Sequence, residues 1–173
     1  MKIEGSEITN SGKWTNFITA KWKNGKNYGT WEYISRKNKQ KGIVIIPRFI
    51  SGSQEKYILI KQKRVPFNNY VIEFPAGLVE SNETVENCAH RELKEETGAS
   101  GEIRSISPLL STSSGITDEL IYFVYYDVME IGKKNLDESE DIETIIKSKR
   151  DIKNYLKSNN EHIIDSKVWA YFT

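Results

Sequence analysis

One cysteine and two histidines in 173 residues remove several chemistries before any pattern is read. A lone thiol, Cys88, cannot close an internal disulfide, so a disulfide-stapled fold is excluded. His90 and His162 are the only imidazoles and Cys88 falls on the apolar side of a helix, so no Ser/His/Asp or Cys/His arrangement competes for the role of active site. No apolar run approaches the roughly 20 residues that span a bilayer. Met1-Lys2-Ile3-Glu4-Gly5 lacks an apolar signal core, and with the single cysteine this gives a cytoplasmic location as the expectation. There is no repeat, linker or low-complexity stretch.

What is present is a chain with 38% hydrophobic and 28% charged residues, the balance of a soluble globular protein long enough for one domain with a substantial core. Its net charge of +1 hides an asymmetry: residues 1–64 carry 14 Lys and Arg against 4 Asp and Glu, and residues 65–173 carry 11 against 20. Two solvated faces account for this as well as a basic part that meets an anionic substrate, or that attracts the acidic part across a dimer. The basic residues are scattered through strand-like sequence, which argues against a nucleic-acid stripe.

Ser6–Thr9, Trp14–Trp22 and Tyr28–Arg36 read as short strands, the last two joined by a Lys23–Asn27 hairpin connection. They hold too few apolar residues to fold alone, so residues 1–41 are expected to form a strand extension leaning on a partner surface, and residues 42–173 the main domain. Gly42–Ile46 and Tyr57–Ile60 are continuous apolar runs of strand length, as expected of buried strands. Val71–Phe74 is a further strand, broken by Pro75-Ala76-Gly77. Val85, Cys88, Ala89 and Leu93 recur at helical spacing between Thr84 and Thr97, and Gly98 supplies the stop. Ile121–Val128 and Ile142–Ile146 predict strands; Ile152–Leu156 and Ile163–Phe172 predict helices, the latter with an Ile164, Val168, Phe172 stripe.

On the central helix Glu92, Glu95 and Glu96 stand three and four residues apart and project from one face. A glutamate-rich solvated face is common; the alternative is a hard cation such as Mg²⁺ or Mn²⁺, which takes oxygen ligands and offsets the repulsion. The wider spacing decides between them. Gly77, Glu83, Arg91, Glu92, Leu93, Glu95, Glu96 and Gly98 form Gly-x5-Glu-x7-Arg-Glu-Leu-x-Glu-Glu-x-Gly, which resembles the Nudix box at every fixed position. Only the position after it, Ala99, is smaller than usual. The resemblance implies an α/β/α sandwich around a mixed sheet, a divalent metal cofactor (Mg²⁺ or Mn²⁺), and hydrolysis of a nucleoside diphosphate linked to another group. It also implies metal ligation by Glu92, Glu95, Glu96 and the Ala76 carbonyl, and a Glu83–Arg91 pair tying loop to helix. His90, at a variable position of the box, is expected to face solvent.

Similarity to the ADP-sugar pyrophosphatase branch runs through Gly12–Trp14, Thr30–Arg36, Ile60–Pro66, Glu73–Gly77, Ser114–Glu119 and Ile164–Ala170. That likeness implies a homodimer with exchanged N-terminal strands. It puts Trp14 and Trp31 at base-stacking positions, Arg36 and Arg64 near diphosphate and ribose, and Glu73 near metal or substrate. Ordinary strand packing is the plain alternative for each tryptophan, and surface exposure for Arg64 and Glu73. Glu140 aligns with the branch's general base, though Glu138 and Glu143 leave the register open. Ser114 stands where the branch typically has proline, which keeps GDP-mannose or another nucleotide sugar beside ADP-ribose. A non-enzymatic nucleotide-sugar sensor would be expected to lose box carboxylates or add a DNA-binding segment; neither is seen.

Overall fold

The computed structural model describes residues 1–136 and 141–173. In chain order the elements are β1 (Lys2–Ser11), β2 (Thr15–Asn24), β3 (Asn27–Arg36), β4 (Gly42–Ser51), β5 (Gln54–Arg64), a 3₁₀ turn (Val65–Phe67), β6 (Asn69–Glu73), β7 (Ala76–Leu78), α1 (Val85–Thr97), β8 (Ala99–Ile106), β9 (Leu110–Ser111), β10 (Leu120–Ile131), β11 (Ile142–Ser148), α2 (Lys149–Ser158), β12 (Ile163–Ile164) and α3 (Ser166–Phe172). They divide into two compact units, Met1–Gly42 with Leu109–Ile121, and Ile43–Pro108 with Tyr122–Thr173. No helix among the described residues is long and apolar enough to cross a membrane.

The first unit is built on an antiparallel β1-β2-β3 sheet. Gly25, with φ of 63°, makes the tight turn between β2 and β3, where the backbone needs a conformation closed to most side chains. The sheet has little core of its own: all of β1 is exposed, and Ile18 and Ala20 are the buried apolar residues of β2. Ile3, Ile8, Phe17, Trp31 and Ile34 are exposed. Segment 109–121 belongs here too, with β9 pairing the first residues of β10.

The second unit is organised on the strand path β12-β6-β5-β4-β10-β8, with β11 added to β5 and β7 to β4. Most pairings are antiparallel, but β12 runs parallel to β6, so the sheet is mixed. The apolar runs of β4 and β5 are buried because both faces are covered. Neighbouring side chains on a strand point to opposite faces. Ile58 accordingly packs with Cys88, Ala89 and Leu93 of α1, whereas Tyr57 meets Phe172 of α3 edge-on at 5.2 Å. Helices therefore cover both faces, which is the expected α/β/α sandwich.

Two expectations need correcting. Ile163 and Ile164 are not helical: they hydrogen-bond as β12 along β6, opposite Val71 and Ile72. The helix starts only after Asp165, whose side chain accepts from the Lys167 N–H and caps it. Edge pairing and a strong cap override the helical stripe. Strand β8 was not anticipated; its apolar residues Ala99, Ile103 and Ile106, which pack with the core, are spaced too irregularly to give the alternation that marks a half-buried strand.

Candidate active site

The site is assembled around α1, whose two ends are fixed by different devices. Thr84 caps the start by accepting from Asn87 N–H at 3.2 Å. Gly98 closes the end with φ of 73°, and a Cβ there would lie 2.4 Å from the Gly132 carbonyl oxygen. Ahead of the helix the Pro75 carbonyl accepts from Ile45 N–H at 2.8 Å, holding the chain against β4 as it enters β7. Gly77 then lies on the Glu92 carboxyl: a Cβ would come within 2.0 Å of its Cδ and Oε1. A larger residue there would push the Glu92 side chain aside.

Beneath this loop Glu92, Glu95 and Glu96 share one side of the helix. Glu96 is 3% exposed, and its Oε2 accepts from the Ala76 N–H at 3.1 Å. Arg91 donates from Nη1 to Glu92 at 2.8 Å and to Glu95 at 3.2 Å. Its Nε and Nη2 meet the two oxygens of Glu83 at 2.9 Å each, so the expected loop-to-helix pair is present and bidentate. Arg91 hydrogen bonding holds the Glu83 carboxyl down to about 2, and Glu83 in turn raises the Arg91 guanidinium.

Three carboxylates and a backbone carbonyl are a hard, all-oxygen donor set, which suits Mg²⁺ or Mn²⁺. Among the described residues no three acidic, histidine or cysteine side chains already converge as a finished cation cage. Glu92 and Glu95 lean on Arg91, so an incoming cation has to compete with that guanidinium. The residues fit an ion of the magnesium type, which is held by few carboxylates together with substrate phosphates and water.

Arg64 and Glu73 form a second bidentate pair, 2.7 Å in both contacts. Glu73 stands opposite Ile60 in the β5–β6 ladder. By strand alternation from Ile58, both it and Arg64 lie on the α1 side of the sheet. The Glu73 side chain is 12% exposed, so it is no plain surface residue. The Arg64 guanidinium is raised, chiefly by its hydrogen bonds to Glu73, with Glu96 and Asp165 adding to the field. The second unit thus brings together Ala76, Glu92, Glu95, Glu96, Arg64 and Glu73.

Trp14, Trp31 and Arg36 belong to the first unit. Trp14 is 69% exposed in the turn before β2, and Trp31 is 53% exposed on β3. The Trp31 indole N–H donates to the Gly115 carbonyl at 3.1 Å. Arg36 is paired with Glu119, whose place in the sequence gave no hint of this partner 83 residues away. Glu140 lies outside the described residues. On either side of that stretch Asn135 N–H donates to the Glu95 carbonyl at 3.0 Å and Tyr70 Oη donates to Asp141 at 2.6 Å. His90 is exposed, with Nδ1 2.6 Å from the Tyr126 hydroxyl.

A family model described as NUDIX domain matches residues 40–164. This chain belongs to the NUDIX domain family. It is 31% identical over 185 residues to the ADP-sugar pyrophosphatase of Mus musculus, covering 98% of this chain and 84% of that protein. It is 40% identical over 87 residues to the ADP-ribose pyrophosphatase of Saccharomyces cerevisiae, covering 50% of this chain and 38% of that protein. A crystal structure described as an ADP compounds hydrolase superposes with a TM-score of 0.73 at 20% identity, covering 92% of this chain and 85% of that one, a likeness of fold.

The Nudix loop and helix are joined through a titratable pair, which makes their stability pH-dependent. Glu83 has a depressed pKa in the folded protein, so its contribution is complete above the unfolded value near 4.5 and is lost as pH falls towards about 2. Urea midpoints measured between pH 5 and pH 2.5 are expected to fall less steeply for Glu83→Gln than for the wild type; parallel curves would remove the pair from the account.

Proposed function

We propose that this Nudix enzyme hydrolyses the diphosphate linkage of a nucleoside diphosphate sugar, with ADP-ribose as substrate and AMP and ribose 5-phosphate as products. The observation that carries the reading is the set of three carboxylates on one side of α1, with Gly77 of the preceding loop lying against Glu92. The names of the mouse and yeast relatives support an ADP-sugar substrate.

Glu92, Glu95, Glu96 and the Ala76 carbonyl are the groups that would hold Mg²⁺ or Mn²⁺. When bound, such an ion supplies phosphate charge neutralisation and a more acidic water. Arg64 and Arg36 offer guanidinium donors to the diphosphate and ribose, and the Arg64–Glu73 pair keeps the first of them oriented. Trp14 and Trp31 give exposed indole faces for the base, where stacking is worth about 1–3 kcal/mol. In the reaction a water oxygen bonds to one phosphorus as the bridging P–O bond breaks, and the water's proton passes to a carboxylate, for which Glu140 is our choice.

Ser114 favours a second reading of the substrate. It lines a groove of about 440 Å³ in the first unit together with Ile3, Trp22, Trp31 and Tyr33, so a hydroxyl stands where the branch has proline. GDP-mannose or another nucleotide sugar is the alternative this motivates. A homodimer fits the first unit, whose exposed apolar residues and basic charge suit a second copy and whose indoles would serve the partner's site. A cytoplasmic location fits the single buried cysteine.

Three outcomes are expected. With Mg²⁺ the enzyme releases AMP from ADP-ribose faster than it cleaves GDP-mannose, ADP-glucose, NADH or a nucleoside triphosphate, and EDTA abolishes the reaction. Glu96→Gln, whose amide still accepts from the Ala76 N–H, keeps the fold but loses most turnover; wild-type rates in that variant would sink the metal assignment. Light scattering is expected to give twice the chain mass of 20.0 kDa, and a fully active monomer would refute the dimer.

A further inference from the structure

The stretch Ser113–Glu119 is fastened along β3 at successive points within the first unit. Gly115 O accepts from the Trp31 indole, and Ile116 O accepts from Ile34 N–H at 2.9 Å. Asp118 accepts from the hydroxyl of Ser35, a residue only 1% exposed, at 3.0 Å and also pairs with Lys39. Glu119 Oε1 receives both Nε and Nη2 of Arg36 at 2.9 Å, while its Oε2 accepts from Thr112 Oγ1 at 3.2 Å. The segment thus contacts the two β3 side chains, Trp31 and Arg36, that the proposed function gives to the substrate.

Glu119 matters most among these contacts because of which donors it uses. A guanidinium has five N–H donors in a fixed fork. Glu119 engages the edge formed by Nε and one N–H of Nη2, and Thr112 fixes the carboxylate from behind. The Nη1–Nη2 edge lies outside that contact, on a side chain 38% exposed, and such an edge can meet a phosphate bidentately. An arginine tethered by one edge enters a complex with its rotamers already chosen, so less freedom is lost on binding.

We infer that Glu119 is a positioning residue, holding Arg36 by its Nε edge so that the outer guanidinium edge is presented to the substrate diphosphate. This rests on the reading of Arg36 as a substrate contact, and the variants are chosen to separate the two. Steady-state kinetics with ADP-ribose, calorimetric Kd for ADP-ribose, and Tm are measured for wild type, Arg36→Ala, Glu119→Ala, Glu119→Gln and the Arg36→Ala/Glu119→Ala double variant. Calorimetry keeps the test standing even for a chain that binds without hydrolysing.

Glu119→Ala is expected to raise KM and Kd about 2- to 12-fold, the factor associated with ordering one long side chain, with kcat within about two-fold. Glu119→Gln, which keeps an acceptor oxygen, recovers part of the loss. In the Arg36→Ala background Glu119→Ala adds nothing further, since the group it positions is gone. Unchanged or tighter binding in Glu119→Ala overturns the inference, as do additive effects in the double variant or a joint fall of kcat, affinity and Tm. If Arg36→Ala itself leaves affinity unchanged, or if the wild type neither binds nor cleaves ADP-ribose, the underlying reading fails and the inference fails with it.

Discussion

Crowding three carboxylates onto little more than one turn of α1 is the constraint around which the second unit is arranged. Like charges at these spacings repel along a helix. Here the repulsion is met by the Arg91 guanidinium, which reaches Glu92, Glu95 and Glu83 together, and by the Ala76 N–H donating to the nearly buried Glu96. The preceding loop is close as well: Gly77 lies against Glu92, so a side chain there would displace that carboxylate from the cluster. Capping at Thr84 and Gly98 then secures a helix whose charge distribution does not favour it.

The two units draw their order from different interactions. In the second, strands buried on both faces and a helix on each side supply an apolar core that can carry an unfavourable charge cluster. The first has little core; beyond the β1-β2-β3 ladders, hydrogen bonds and an ion pair tie residues 113–119 to β3. Exposed ion pairs of this kind add little stability. Their effect is to fix where Trp31 and Arg36 point within the first unit.

How much of this was legible in the sequence depended on the range of the interaction. The box helix, its caps and the Glu83–Arg91 pair follow from local spacing, and α1 runs as Gly98 and Thr84 required. The apolar runs of β4 and β5 were readable for the same reason. Ile163–Ile164 misled because a helical stripe cannot reveal an edge strand waiting to pair. β8 escaped because its three apolar residues do not alternate regularly with polar ones. The Arg36–Glu119 and Ser35–Asp118 contacts join residues 83 positions apart, and no local pattern encodes such a pairing. Glu73 was singled out by resemblance, but its pairing with Arg64 appeared only once β5 and β6 set the two side by side.

The central claim is that the carboxylate cluster on α1 holds a divalent cation by displacing Arg91 from Glu92 and Glu95. Mn²⁺ titration followed by loss of the free-ion electron paramagnetic resonance signal addresses it directly, with and without a methylene analogue of ADP-ribose. The account predicts uptake by the wild type, tighter with the analogue, and affinity weakened roughly ten-fold or more in Glu92→Gln at unchanged circular dichroism. Equal Mn²⁺ affinity in the wild type and Glu92→Gln, or no uptake under either condition, would contradict it.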